Sequence, residues 1–252
     1  MFSAAIQPGL VSLFSSTGFN PLGLFETRTD ESLVADAFIG LLNDRSSEPK
    51  PQSPVALVSQ PPEEGFVLDQ TVLHIQSPSL PKTFILCPAQ AAAGVELGLK
   101  HPWVHLQVRN MEKEWSFEMG ISDQTGRKGI LRFSTFQKHP RLKVNSSPPL
   151  LHLPLSFPPS SSQLTAWSTI SLHLPAFLPH FTNTSLIDHV SESIYDEVLH
   201  TPVFSKASAP NGQYSHTSYV KIYPTCRLRR IWFSDGGPSQ KLPWEFELYA
   251  RE

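Results

Sequence analysis

Trp115-Ser116-Phe117-Glu118-Met119-Gly120-Ile121-Ser122 alternates large apolar side chains with small or polar ones. A period of two belongs to extended chain whose successive side chains point to opposite faces, so the stretch predicts a half-buried antiparallel strand. Upstream, Trp103 to Arg109 predicts a second strand, and the short polar link Asn110 to Lys113 predicts that the two form a hairpin. Downstream, Gly126 and Gly129 mark a turn before a third extended run, Ile130 to Phe136. Three neighbouring strands make a meander.

The same criterion picks out Val72 to Gln76, Thr83 to Cys87, Thr169 to Leu174, Tyr219 to Tyr223, Arg227 to Ser234 and Trp244 to Tyr249. In the last, Trp244, Phe246 and Leu248 share one face and Glu245 and Glu247 the other. Short strands separated by Gly, Pro and Ser turns predict an all-β fold, an antiparallel β-sandwich or jelly-roll-like arrangement. Two peripheral helices complete the expectation. Glu31 to Arg45 places Leu33, Val34, Ala37, Phe38, Leu41 and Leu42 on one stripe with Asp30 as N-cap, and Ser185 to Leu199 spaces Leu186, Ile187, Val190, Ile194 and Val198 similarly. Ser46 to Glu64, Asn145 to Gln163 and Thr201 to Ser218 are rich in Pro and Ser and read as long loops.

Composition agrees with strands. The 252 residues include 24 Pro against 13 Gly, which disfavours a long helical bundle, while 16 Phe and 5 Trp supply a core. Only two cysteines occur, Cys87 and Cys226, too few for a disulfide scaffold or a four-cysteine zinc site. Met1 to Leu13 lacks a basic n-region and is broken by Pro8 and Gly9, a poor secretory signal, and no apolar run approaches the roughly 20 residues that cross a bilayer. No membrane partner is therefore expected. Asn145-Ser146-Ser147 and Asn183-Thr184-Ser185 fit the glycosylation pattern but carry little weight without an export signal.

An enzyme exposes a nucleophile with its base, a metal set or paired carboxylates, and none is legible here: there is no G-x-S-x-G, Walker loop, G-x-G-x-x-G or H-E-x-x-H. His101 and His105 are four apart, about 13 Å on an extended strand, too far to share a metal. No catalytic residue, metal or cofactor is expected. The densest positive feature is Cys226-Arg227-Leu228-Arg229-Arg230-Ile231-Trp232-Phe233-Ser234-Asp235, whose apolar neighbours make an exposed nuclear-localisation peptide awkward. As a strand it requires a partner for at least one arginine, such as Asp235 or a carbonyl.

Four blocks, in order along the chain, resemble the cilia- and flagella-associated protein twenty family. They are Met1-Phe2 with Gln7, Gly9, Ser12 and Asn20-Pro21-Leu22; Thr83-Phe84-Ile85-Leu86-Cys87-Pro88-Ala89 with Leu97-Gly98-Leu99-Lys100 and the strand at Trp115-Ser116-Phe117-Glu118; Ala166-Trp167 through Leu174 to Phe177; and the Arg-rich strand followed by Leu242-Pro243 and Trp244 to Tyr249. The resemblance implies a β-sandwich without enzymatic activity, a structural protein of the axoneme and basal body of cilia and flagella. Family members close the inner junction of the doublet microtubule, so the implied partners are tubulin and neighbouring axonemal proteins, with cytoplasm or nucleus as the compartment in an organism without cilia. Against that compact pattern, one domain over residues 1–252 carries insertions at about 23–70, 145–163 and 180–218.

The net charge is -2 but unevenly distributed. Residues 1–70 hold three basic and nine acidic side chains, 71–144 ten and five, 145–218 one and four, and 219–252 six and four. The family-like strand regions are thus basic and the insertion-bearing regions acidic, and a basic sandwich face would dock on the acidic surface of tubulin. Candidate partner contacts are Lys100, Arg109, Lys113, Arg127, Lys128, Arg132, Lys138, Arg141, Lys143, Arg227, Arg229 and Arg230. The alternatives are a nucleic-acid-associated nuclear adaptor using the same basic strands, and a carbohydrate-binding module presenting Trp103, Trp115 and Trp167 as a platform.

Overall fold

A computed structural model describes residues 1–49, 68–157, 167–187 and 209–249. Its thirteen strands are β1 (Leu10–Ser15), β2 (Glu26–Arg28), β3 (Phe38–Asn43), β4 (Thr71–Gln76), β5 (Phe84–Cys87), β6 (Trp103–Asn110), β7 (Ser116–Asp123), β8 (Lys128–Ser134), β9 (Arg141–Lys143), β10 (Leu150–Pro154), β11 (Trp167–His173), β12 (Tyr214–Ile222) and β13 (Cys226–Ser234). Sheet A runs β11-β6-β13-β4-β3, with β1 paired beside β4 on the same edge of β13. Sheet B runs β2-β5-β12-β7-β8-β10-β9, and its β8–β10 pair is parallel. The fold is the expected all-β sandwich.

Alternation explains the core. Phe117, Met119 and Ile121 of β7 and Leu131 and Phe133 of β8 point inward from sheet B, and Val104, Leu106 and Val108 of β6 with Ile231 and Phe233 of β13 meet them from sheet A. Burying one such side chain stabilises by about 1.5–3 kcal/mol. A 3-10 segment, Leu174–Thr182, adds Leu174, Leu178 and Phe181 to the same core. Gly129 makes room for Phe181: a Cβ there would lie 2.7 Å from the ring.

Several expectations need correction. β6 and β7 do not form a hairpin, because they belong to different sheets. Alternation identifies the buried face but not the sheet, and residues 111–115 are long enough to cross the roughly 10 Å between packed layers. The helix expected over Glu31 to Arg45 is a single 3-10 turn, Glu31–Leu33, followed by β3. Its cap is as expected, with Asp30 accepting from the Ser32 amide. However, Phe38-Ile39-Gly40-Leu41-Leu42 is apolar on both faces of a strand, and such short runs do not distinguish helix from strand by periodicity.

Trp244 to Tyr249 is not a strand either: Trp244–Phe246 form a 3-10 turn. The Pro/Ser-rich loop Asn145 to Gln163 contains β10, and Thr201 to Ser218 contains the start of β12. Thr184–Leu186 form a 3-10 turn where the second helix was expected to begin, and the rest of that expectation lies outside the described residues.

Candidate functional site

The sandwich has two outer faces, and the sequence equips them differently. On sheet A the outward positions include Trp103, His105, Gln107 and Arg109 of β6 and Arg227, Arg229, Arg230 and Trp232 of β13. These residues are engaged within the chain. Asp44, 1% exposed, accepts from Arg109 at 2.8 Å and Arg227 at 2.7 Å on Oδ1, and from Trp167 Nε1 and the Leu68 amide at 2.8 Å on Oδ2. Burial alone would raise its pKa, but the bonds from Arg227, Trp167 and Leu68 hold it below the ordinary carboxylate value.

Arg229 donates to Gln70 Oε1 at 2.6 Å, to Gln107 Oε1, and to the Glu245 carbonyl at 3.1 Å. Burial, with the adjacent Arg230 charge, pushes it down to about 10. Arg230 also reaches the Glu245 carbonyl, and its guanidinium lies 4.2 Å from the centre of the Phe246 ring. Gln107 donates to the Phe246 carbonyl at 2.6 Å. The Arg-rich strand therefore latches the C-terminal segment over sheet A, with carbonyls as the main acceptors.

On sheet B the outward positions form a different surface. Register places Lys221, Glu118, Arg132, His152 and Arg141 in one row across β12, β7, β8, β10 and β9. Lys128, Lys143 and Arg28 point the same way from β8, β9 and β2, as do Phe84, Tyr219 and Tyr223, with Glu26 at the margin. Six cations thus face outward beside two carboxylates, Glu26 and Glu118. Arg132 donates two bonds to Glu118 Oε2, at 2.9 and 2.7 Å, and the Tyr219 hydroxyl donates to Oε1. Lys128 is paired with Glu96 at 2.6 Å, yet half its side chain is exposed.

Of the sequence candidates, Lys128, Arg132, Arg141 and Lys143 come together on sheet B, while Arg109, Arg227, Arg229 and Arg230 lie on sheet A in internal bonds. Lys100, Lys113 and Lys138 are exposed on loops, and Arg127, in the β7–β8 turn, donates to Asn211. Sequence reasoning missed Arg28 and Lys221. The signal for Lys221 was the alternation Tyr219, Lys221, Tyr223, which puts the lysine outward between two aromatic residues.

Serine–histidine contacts at two histidines, His152 and His105, resemble nucleophile–base pairs. Ser134 Oγ lies 2.7 Å from His152 Nε2, and His105 contacts Ser171 and Ser234, each at 2.8 Å. Burial pushes His152 to about 4, assisted by Arg132, Lys143 and Arg141, and pushes His105 to about 4, so both are weak bases at neutral pH. Ser134 and Ser234 are fully buried. Among the described residues no group of three or more His, Cys, Asp or Glu is placed to hold a metal. Cys87 and Cys226 are buried thiols, and burial pushes Cys87 up to about 12. Trp115 and Trp167 are buried, so the three-tryptophan platform does not form.

A family model described as the CFA20 domain matches residues 66–250. The chain is 24% identical over 250 residues to cilia- and flagella-associated protein 20 of Chlamydomonas reinhardtii, covering 99% of this chain and 97% of that protein. It is 24% identical over 250 residues to the Caenorhabditis elegans protein of the same name, at 99% and 91% coverage. The Paramecium tetraurelia protein of that name is 23% identical over 250 residues, at 99% and 96%.

Proposed function

The chain belongs to the CFA20 domain family, and from that premise we propose that it is a non-enzymatic structural protein of the ciliary axoneme and basal body. It binds the microtubule lattice through the outer face of sheet B and does no chemistry there. The observation that carries this reading is the segregation of charge: sheet B gathers Arg28, Lys128, Arg132, Arg141, Lys143 and Lys221 on one face, where Arg28, Lys128 and Arg132 hold ion pairs yet keep a third or more of their side chains exposed, whereas Arg227, Arg229 and Arg230 of sheet A are buried in bonds to Asp44, Gln70 and the Glu245 carbonyl. A flat cationic face complements an acidic protein polymer, steering encounter and fixing orientation.

The aromatic residues of this face favour a protein partner over nucleic acid. Lys221 and Arg28 lie over the Phe84 ring, and Lys221 and Arg132 over Tyr223, so these rings are already capped by cations rather than open for base stacking.

Purified protein should pellet with stabilised microtubules at low salt and leave the pellet as salt rises, since exposed charges are screened over about 8 Å at 0.15 M. Reversing Arg141 and Lys143 to Glu should weaken pelleting, whereas reversing Lys113, on the β6–β7 link, should not. Folded wild-type protein that stays in the supernatant at low salt would overturn the reading. A fluorescent fusion should decorate axonemes.

A further inference from the structure

The outer face of sheet B is not uniform. Near its middle, on β12, the Lys221 ammonium sits 3.7 Å from the centre of the Phe84 ring and 4.8 Å from that of Tyr223. Phe84, Leu86 and Tyr223 form a closed apolar patch around it, with Leu80 and Tyr219 at the edge. Arg28 approaches the same Phe84 ring at 5.5 Å, and Arg132 the Tyr223 ring at 5.8 Å. The two carboxylates of this row are both engaged, Glu118 by Arg132 and the Tyr219 hydroxyl and Glu26 by Arg28 at 3.6 Å. Among the described residues, Lys221 has no hydrogen-bond acceptor and no ion pair.

We infer that Lys221 is the anchor of this face for a carboxylate on an acidic protein segment, an inference that rests on the reading of sheet B as the partner-binding face. The physical reason is the combination of a held side chain and an unmet charge. Ring faces fix the ammonium by cation–π attraction, so little rotamer freedom remains to be lost on binding, but they do not satisfy its three N–H donors. The apolar patch excludes water around the contact, the environment in which a charge pair is worth most. Arg28 and Arg132 on either side each hold a carboxylate, Glu26 and Glu118, so the cluster of three cations and two carboxylates keeps one positive charge in excess for an incoming carboxylate to neutralise. Burial holds the Lys221 amine below the ordinary lysine range, with Arg132 and Arg28 adding to that shift and Glu118 and Glu26 opposing it.

The test compares Lys221→Met, Lys221→Arg and Lys143→Met, the last removing an equal charge at the sheet margin. Binding is measured to a fluorescein-labelled glutamate decamer by anisotropy and to stabilised microtubules by pelleting. Lys221→Met should weaken both at least about tenfold; Lys143→Met, which removes a marginal charge of the same face, should weaken both measurably but by no more than about threefold, while Lys221→Arg should stay near wild type. Lys221→Gln, expected to show the same loss, replaces Lys221→Met if the latter shifts the melting curve.

Equal losses for Lys221→Met and Lys143→Met, or none for either, would overturn the anchor in favour of a diffuse field. If wild type binds microtubules and Lys221→Met binds them equally, the anchor fails and the microtubule reading stands. If wild type binds only the glutamate decamer, through Lys221, the anchor stands and the microtubule reading fails. Binding to neither probe refutes both.

Discussion

Replacing Asp44 by Ala should be among the most damaging single changes in the chain, although Asp44 lies on neither the open face nor in the main core. Its carboxylate accepts from two guanidinium groups, an indole and a backbone amide, and the side chain of Arg227 is only 7% exposed. Truncation leaves Arg227 buried without its counter-charge and removes the Asp44 acceptor of the Trp167 Nε1–H, and breaking a buried pair in this way costs about 3–5 kcal/mol. With a urea m-value near 3 kcal/mol/M, the unfolding midpoint should fall by about 1–1.7 M at unchanged slope.

The loss should be coupled. Asp44→Leu with Arg227→Met should recover part of it, because replacing both charges leaves no uncompensated ion. The pH dependence has a definite sign: a depressed carboxyl pKa contributes stability that is full above the unfolded value, about 4, and is lost as pH falls through the lower folded value. The difference between wild type and Asp44→Ala should therefore shrink below about pH 4. Urea titrations followed by tryptophan fluorescence measure each of these. A loss under about 1 kcal/mol, or strictly additive single variants, would refute the hub.

Phe181→Ala should cost about 3–5 kcal/mol, since the ring is fully buried against Gly129, and calorimetry would show a lowered Tm. Asp123, which accepts from the amides of Thr125, Arg127, Asn211 and Gly212, has its pKa lowered to about 2: burial opposes the shift, and the Thr125 hydroxyl and these amides outweigh it. Asp123→Ala should lower Tm by several degrees at pH 7, with the gap to wild type closing as pH approaches 2, as melting curves across pH would show. Arg229→Met should loosen the 244–249 segment that hangs on its bonds, and limited proteolysis followed by mass spectrometry should reveal cleavage there well before the wild type is cut.

The sandwich was readable wherever one face of a strand is apolar and the other polar, as in Phe117, Met119 and Ile121 of β7. It was not readable where both faces are covered: β3 buries Leu42 against the satellite cluster of Leu68, Val72 and Trp167 while Ile39 and Leu41 pack on the main core, so its run lost its period. Nor could alternation reveal that the chain between β6 and β7 changes sheets. The arginine run illustrates the limit for function. Its charge density is local, but the Asp44, Gln70 and Glu245 groups that engage it lie up to 183 residues away. Density of charge in sequence therefore did not indicate availability. The opposite held for Lys221, a single cation among tyrosines whose setting is created by Phe84 on the neighbouring strand.

The latch over sheet A gives the molecule a front and a back. Docked by sheet B, it would bind in one orientation only, with the Trp244–Phe246 turn on the side turned away from the polymer. A reporter carried on that turn would then sit clear of the docked surface.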